Sequence, residues 1–239
     1  MATWKAAQLD RLKPLVFLLG LFPLGRWVWL GFNNGLSVYE TAITPSCKRV
    51  SIFLKEIGGD VERIALNVRD GENLAEDFKQ KSVNGKVPLL ELEDGTTICE
   101  SIAICRYLDE AFENNLALFG ANQLERAQVE MWHRVVEFQG LYAAFQAFRN
   151  ITAIYEDRER CVKEWGEESK QRVQEFLPLL DKRLGESEFI AADHFTIVDI
   201  TGFILIGFAI KGLEIDVLTT APNIARWYEQ VSARPAFLG

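Results

Sequence analysis

The pattern of secondary-structure signals changes once along this chain, and that change is its strongest constraint on the fold. Between residues 36 and 112, short runs of β-forming residues alternate with amphipathic helical stretches. From residue 122 to residue 239 the periodicity is helical throughout, and residues 113–121 are rich in turn formers. Alternating strands and helices are typical of an α/β domain, whereas consecutive helices are typical of a helical bundle. We therefore expect an α/β domain at 36–112 and an all-helical domain at 122–239.

The order of elements in the first part predicts its topology. Strands are predicted at 36–43, 61–68, 87–92 and 96–99, helices after Thr44 and at 101–112, and a short polar helix or loop at 72–81. One helix between the first two strands indicates a right-handed βαβ unit with parallel strands. Asp94-Gly95 is a hairpin turn, which makes the last two strands antiparallel. The order βαβ followed by ββα is that of a thioredoxin-like domain.

Four helices are predicted in the second part. They cover residues 122–151, 157–184, 196–210 and 222–233. The third is almost wholly apolar, which is typical of a buried central helix. Thr196 and Asp199 at its start fit a capping box, with Phe195 and Ile200 as a hydrophobic staple.

Composition and charge exclude several classes of protein. Hydrophobic residues make up 49% of the chain and charged residues 25%, which excludes a disordered tail, a collagen-like fibre and a polytopic membrane protein. Lys+Arg 26 against Asp+Glu 34 gives a net charge of −8. Because nucleic-acid binding relies on cationic side chains, we expect no nucleic-acid partner.

The cysteines and histidines are too few and too scattered for a metal cluster or a disulfide scaffold. No two cysteines have CxxC spacing. The residues concerned are Cys47, Cys99, Cys105, Cys161, His133 and His194. We expect no metal, and a reducing cytoplasm as the location.

Residues 1–35 differ from the rest of the chain. Residues 14–32 are apolar with one charge, Arg26, a length typical of a membrane-spanning segment. Pro23, Gly25 and Arg26 interrupt it, and a charge at mid-bilayer is costly. The segment weakly resembles the N-terminus of the membrane haem subunit of the bacterial methionine-sulfoxide reductase system. It is an anchor or a foreign segment, and any membrane contact is expected only through residues 14–32.

The loop after the first strand carries the first candidate catalytic residues. Its sequence, TPSC at 44–47, lies where thioredoxin-like domains hold a CxxC pair at a helix N-terminus. Here the first position is Thr44, and only Cys47 is a thiol. A single cysteine cannot form the intramolecular disulfide of a dithiol oxidoreductase. The Thr44 hydroxyl can donate to a substrate thiolate or act as a plain helix cap.

Two further sites lie at the other strand ends. Pro88 opens the third strand, a position where proline is tolerated. The resemblance to thioredoxin-like domains, in which this proline is usually cis, implies a cis Val87-Pro88 bond with the Val87 backbone free to pair with an extended peptide. Glu100 and Ser101 begin the helix after the fourth strand. A serine hydroxyl and free N–H groups at a helix start suit a carboxylate, and Glu100 suits an ammonium group.

These motifs together resemble those of the glutathione S-transferase family. VNGKVPLLELEDGTTICESIAICRYLDE at 83–110 resembles the glutathione-binding motif, and FTIVDITGF at 195–203 resembles the capping-box motif of the helical domain. The resemblance covers about 37–239, in the right order. It implies that Val87, next to Pro88, pairs with the cysteinyl part of glutathione, that Glu100 and Ser101 hold the γ-glutamyl head, and that Lys86 meets the glycyl carboxylate.

The implied function is a glutathione transferase that uses glutathione as co-substrate. Thr44 falls where many members carry an activating Ser or Cys, with Cys47 and Tyr39 as alternatives. A hydrophobic electrophile is expected against Trp132, Phe138, Tyr142 and Phe145. The resemblance also implies a homodimer. Two alternatives stay open: a glutathione-dependent thiol reductase or isomerase that uses Cys47, and a non-catalytic glutathione-fold binding protein.

Overall fold

The computed structural model describes residues 35–238 and contains one four-stranded sheet in the order β2-β1-β3-β4. The strands are β1 (Ser37–Glu40), β2 (Glu62–Ala65), β3 (Leu89–Glu91) and β4 (Thr97–Cys99). β1 pairs with β2 in parallel and with β3 antiparallel, and β3 pairs antiparallel with β4. The predicted topology is confirmed. Each strand is shorter than its apolar run, because the flanking residues leave the ladder to enter the connecting loops.

Three helices belong to this part of the chain. They are α1 (Pro45–Ile57), α2 (Glu76–Lys81) and α3 (Ser101–Ala111). α1 buries Val50, Phe53 and Leu54 and packs against α3. It ends at Gly58, whose φ of 66° is the left-handed conformation that glycine adopts readily. A single 3₁₀ turn, Glu72–Leu74, precedes α2, so the polar stretch predicted at 72–81 is a turn followed by a short helix.

The second part of the chain is helical. It contains α4 (Gln123–Val135), a π-helical segment (Val136–Tyr142), α5 (Ala143–Thr152), α6 (Lys163–Glu186), α7 (Ile197–Leu213), α8 (Pro222–Ser232) and a 3₁₀ turn (Pro235–Phe237). α7 is buried over most of its length and contacts α1, α4, α5 and α8, so the predicted central helix is confirmed.

The π-helical segment is where the predicted helix 122–151 departs from regular geometry. Seven residues, Val136–Tyr142, adopt the wider turn between α4 and α5. Gly140 lies inside it, against α6 and α7. A Cβ at Gly140 would overlap the Leu205 side chain and approach Phe176 to 2.9 Å. Glycine therefore allows the three helices to approach closely here.

The buried carboxylate of Asp199, in the first turn of α7, connects the start of α7 to the loop before it and to α8. The Thr196 hydroxyl accepts from the Val198 N–H, and the Thr196 N–H donates to Asp199 Oδ2 at 2.9 Å, which confirms the capping box. Asp199 Oδ1 accepts from the Ile190 N–H at 3.0 Å and from Trp227 Nε1 at 2.9 Å. Burial raises the pKa of the Asp199 carboxyl, and these donors act in the opposite sense.

The prediction for residues 14–32 lies outside the described residues. Within residues 35–238, no helix combines the length and the apolar character needed to cross a membrane.

We predict that Asp199→Ala destabilises the fold by about 3 kcal/mol or more, because each buried donor left unpaired costs about 1–3 kcal/mol. Urea unfolding followed by far-UV circular dichroism measures the change. Asp193→Ala, at an exposed position in the loop before α7, is the matched control and should stay within about 0.5 kcal/mol of the parent chain. Equal stabilities of the two variants would contradict the structural role of Asp199.

Candidate active site

The strand register gathers the predicted site residues at one edge of the sheet. Tyr39, Leu89 and Cys99 are paired neighbours across β1, β3 and β4. β1 and β4 end at this edge and β3 begins there. The loops that carry Thr44, Val87 and Glu100 therefore emerge side by side. A groove of about 460 Å³ lies between the loops after β1 and β2, on the side of β1 away from β3, and Thr44, Val87 and Glu100 do not line it.

Thr44 is the N-cap residue of α1, with an extended backbone at φ −94° and ψ 137° and with Pro45 at the first helical position. Its side chain accepts no capping hydrogen bond. Its hydroxyl oxygen is buried, and no group among residues 35–238 lies in hydrogen-bonding geometry to it. The hydroxyl lies beside the Cys47 thiol, whose pKa it lowers, and at a helix N-terminus, where negative charge is stabilised.

Cys47 lies one turn into α1 and is only 2% exposed. The backbone N–H of Thr41 approaches its sulfur at 3.5 Å. Burial raises the pKa of the Cys47 thiol, and the nearby Thr44 side chain and the Thr41 N–H oppose this by less. Because the thiolate is the nucleophile, this environment disfavours reactivity at neutral pH.

Tyr39, the other alternative for thiol activation, is engaged elsewhere. Its hydroxyl donates to Glu91 Oε2 at 2.6 Å and accepts from Lys81 Nζ at 2.9 Å. Lys81 also donates to both Glu91 oxygens. Both polar functions of the Tyr39 hydroxyl therefore have partners within the sheet and α2.

The Val87-Pro88 peptide bond is cis, as the sequence predicts. The turn before it is held by Asn84, whose Oδ1 accepts from the Lys86 N–H at 3.1 Å. Asn84 Nδ2 donates to Glu100 Oε1 at 2.9 Å. The Lys86 side chain is exposed. One asparagine thus joins the turn before β3 to the start of α3.

Glu100 and Ser101 form the start of α3. Glu100 is the N-cap residue, with φ 69°, and it is exposed, whereas Ser101 is buried. The Glu100 side chain makes no capping hydrogen bond to the first-turn N–H groups of α3. These groups and the Ser101 hydroxyl can bind an anion, and the Glu100 carboxylate beside them can bind a cation.

Arg49 is a site component that the sequence analysis missed. It is 3% exposed, and its Nη1 donates to Ser101 Oγ at 2.9 Å and pairs with Glu137 Oε1 at 3.3 Å. Burial lowers the pKa of the Arg49 guanidinium, and Glu137 opposes this shift. A signal was present, because Arg49 shares a helical stripe with Phe53 and Ile57, where a charge is unexpected.

The four aromatic residues predicted for the electrophile have three different surroundings. Phe138 and Tyr142 line a groove of about 360 Å³ between the π-helical segment and α6. Trp132 lies beneath the Arg183 guanidinium, 5.3 Å from its ring centre. Phe145 packs edge to face against Phe208 of α7.

Phe148 completes a half-buried aromatic cluster that the sequence analysis did not identify. The ring centres of Phe145 and Phe148 lie 5.3 and 5.2 Å from that of Phe208. Phe208 belongs to α7, which packs against α1, the helix that Thr44 begins. Within residues 35–238, no group of three or more His, Cys, Asp and Glu side chains could hold a metal ion.

Comparison with family models identifies both parts of the chain. Residues 44–111 match the model for the glutathione S-transferase N-terminal domain, and residues 145–237 match that for the C-terminal domain. A crystal structure of a Gtt2-class glutathione S-transferase from Vibrio parahaemolyticus is 75% identical, with a TM-score of 0.77. That match covers 85% of this chain and 96% of the other. The chain therefore belongs to the glutathione S-transferase family.

More distant relatives share the whole fold. Glutathione S-transferase 2 of Saccharomyces cerevisiae is 28% identical over 224 residues, which cover 87% of this chain and 93% of the relative. The crystal structure of Gtt2 from Saccharomyces cerevisiae superposes with a TM-score of 0.79 at 29% identity, over 84% of this chain and 98% of the other.

We predict that Cys47 resists alkylation at pH 7, because burial keeps its thiol protonated. In peptide mapping by mass spectrometry, iodoacetamide should modify the half-exposed Cys161 faster than Cys47 by about tenfold or more. Cys47→Ser serves as the control that assigns the slow peptide. If Cys47 reacts as fast as Cys161, its thiol is open and the reductase alternative is favoured.

Proposed function

We propose that this protein is a glutathione transferase that joins the thiolate of glutathione to a small hydrophobic electrophile. The observation that carries the proposal is that the loops bearing Thr44, Val87, Glu100 and Ser101 emerge at one edge of the sheet. Each of these residues offers a group that matches one part of the tripeptide. Glutathione is thus a co-substrate, and no metal is needed for the chemistry.

The γ-glutamyl head has a carboxylate and an ammonium group on one carbon atom. The Ser101 hydroxyl and the uncapped N–H groups of α3 bind the carboxylate, and the exposed Glu100 carboxylate binds the ammonium. Asn84 holds Glu100 Oε1 at 2.9 Å and so orients it. The Val87 backbone pairs with the cysteinyl part, and the exposed Lys86 meets the glycyl carboxylate.

Activation of the thiol requires stabilisation of its anion. A free thiol has a pKa of about 8.5, and lowering it by about two units needs about 2.7 kcal/mol. A hydrogen bond to a charged acceptor contributes about 1.5–3 kcal/mol, and a helix N-terminus adds about 0.3–1 kcal/mol. The Thr44 hydroxyl can supply the first contribution and the N-terminus of α1 the second.

The aromatic residues of the helical part supply the apolar surface for the electrophile. Of the four predicted residues, Phe145 belongs to the half-buried cluster with Phe148 and Phe208, on a helix that packs against α1. This cluster is the apolar surface that we favour. Trp132, Phe138 and Tyr142 stay predictions.

We further propose that the protein is a homodimer in a reducing cytoplasm. Support for the homodimer comes from the groove that Phe138 and Tyr142 line, since both side chains are more than half exposed. Met131 of α4 and Leu179 of α6 are also large, apolar and exposed. Exposed apolar patches of this kind mark protein–protein contacts. Sedimentation velocity would measure the oligomeric state.

A non-catalytic glutathione-binding protein is the second candidate. The observation that favours it is the burial of the Thr44 hydroxyl oxygen, which protein atoms cover. Such a protein would be retained on immobilised glutathione but would not conjugate chlorodinitrobenzene. A transferase would do both.

We predict that Ser101→Ala weakens glutathione binding about 10- to 100-fold, because a hydrogen bond to a charged group contributes about 1.5–3 kcal/mol. Isothermal titration calorimetry measures the affinity, and thermal unfolding verifies the fold. Ser232→Ala is the matched control, since that hydroxyl donates to the backbone of its own helix, α8. Unchanged affinity in Ser101→Ala would refute the assignment of the glutamyl head.

We predict that Thr44→Val raises the pKa of bound glutathione and lowers turnover, whereas affinity is nearly unchanged. Valine keeps the shape of threonine but lacks the donor, and Thr44→Ser, which keeps it, is the control that should retain activity. Thiolate absorbance of the bound complexes as a function of pH gives each pKa. Identical titrations in all three proteins would remove Thr44 from the mechanism and favour the non-catalytic alternative.

A further inference from the structure

The Arg49 guanidinium contacts Ser101 from the inside of the molecule. Arg49 Nη1 lies 2.9 Å from Ser101 Oγ, and only 3% of the Arg49 side chain is exposed. The guanidinium is therefore almost wholly covered by protein, and Ser101 Oγ is the group of the candidate site that it contacts. Its effect on binding has to act through Ser101.

The chemistry of the two groups fixes the direction of their hydrogen bond. A guanidinium has only donors, whereas a serine hydroxyl has one donor and two acceptor lone pairs. Ser101 Oγ therefore accepts from Arg49, and its single hydrogen is left for another partner. A carboxylate has only acceptors, so the remaining function of the Ser101 hydroxyl matches a carboxylate.

We propose that Arg49 is a positioning residue that holds the Ser101 hydroxyl as a donor and thereby selects a carboxylate over a neutral group at the start of α3. The inference rests on the proposed function, in which that carboxylate belongs to the γ-glutamyl head. The adjacent positive charge also makes the hydroxyl a stronger donor, since hydrogen bonds gain strength when a partner is charged.

Glu137 keeps Arg49 in this position. Its Oε1 lies 3.3 Å from Arg49 Nη1, and its Oε2 lies 2.9 Å from Arg134 Nη2. A buried guanidinium requires such a partner, because an unpaired buried charge is strongly unfavourable. Glu137 lies in the π-helical segment, so the helical part of the chain supports a binding residue in the α/β part.

The test compares two probes that differ only at the group in question: glutathione, and its analogue with a carboxamide in place of the γ-glutamyl α-carboxylate. Calorimetry measures both dissociation constants for each folded variant. The dissociation constant of the carboxamide analogue divided by that of glutathione is the selectivity ratio, and a high ratio means a preference for the carboxylate. The variants are Arg49→Gln, Arg49→Lys, Ser101→Ala and the Arg49→Gln, Ser101→Ala double variant. A purely structural role would weaken both probes together and leave the ratio unchanged.

We expect Arg49→Gln to lower the ratio about tenfold, because glutamine can accept as well as donate and no longer fixes the hydroxyl. Arg49→Lys, which keeps a charged donor, should retain most of the selectivity. In the Ser101→Ala background, Arg49→Gln should change the ratio by less than about twofold, since the hydroxyl through which it acts is absent. If Arg49→Gln fails to fold, Arg49→Met with Glu137→Gln removes the charge pair together and is expected to show the same loss.

Two outcomes would overturn the inference and are distinguishable. If the parent chain binds neither probe, the proposed function fails and the inference fails with it. If the parent chain prefers glutathione and Ser101→Ala reduces that preference, but the Arg49 variants keep the parental ratio, the function stands and Arg49 is not a positioning residue.

Discussion

The buried charge of Arg49 is the constraint on which the arrangement of the site depends. A guanidinium that is 3% exposed loses its hydration, and burial lowers its pKa. Ser101 of α3 and Glu137 of the π-helical segment compensate for this loss. The three residues come from α1, α3 and the π-helical segment. The two contacts of Arg49 therefore fix the start of α3 relative to α1 and to the π-helical segment. Displacing any one of them would leave a buried polar group unpaired, which is costly.

Much of the fold could be predicted from the sequence because burial follows periodicity. The apolar stripe of α1 and the turn at Asp94-Gly95 were enough to predict the mixed sheet, and the capping box at Thr196 located the start of α7. The π-helical segment could not be predicted, since a wider turn has no characteristic residue pattern. It changes the direction of the side chains that follow, so the relative positions of Trp132, Phe138, Tyr142 and Phe145 could not be derived from the periodicity of a regular helix.

The candidate site also contains residues that could be predicted from the sequence and residues that could not. Val87, Glu100 and Ser101 were predictable because they lie within one contiguous motif, where strand ends and a helix start imply their geometry. Arg49 and Glu137 were missed, since the contact between residues 49 and 137 depends on packing across two parts of the chain. Asn84 lies within the recognised motif, but its bond to Glu100 depends on the conformation of the turn before β3.

The backbone conformation at Glu100 is unfavourable for a residue that carries a side chain. Its φ of 69° lies in a region that is unfavourable for residues with a side chain, and such conformations cost on the order of 1–3 kcal/mol. Glycine would relieve this strain and delete the carboxylate that Asn84 orients. Selection for thermal stability alone would therefore favour loss of the carboxylate at this position. If Glu100 binds the ammonium group as proposed, stability and recognition place opposite demands on residue 100.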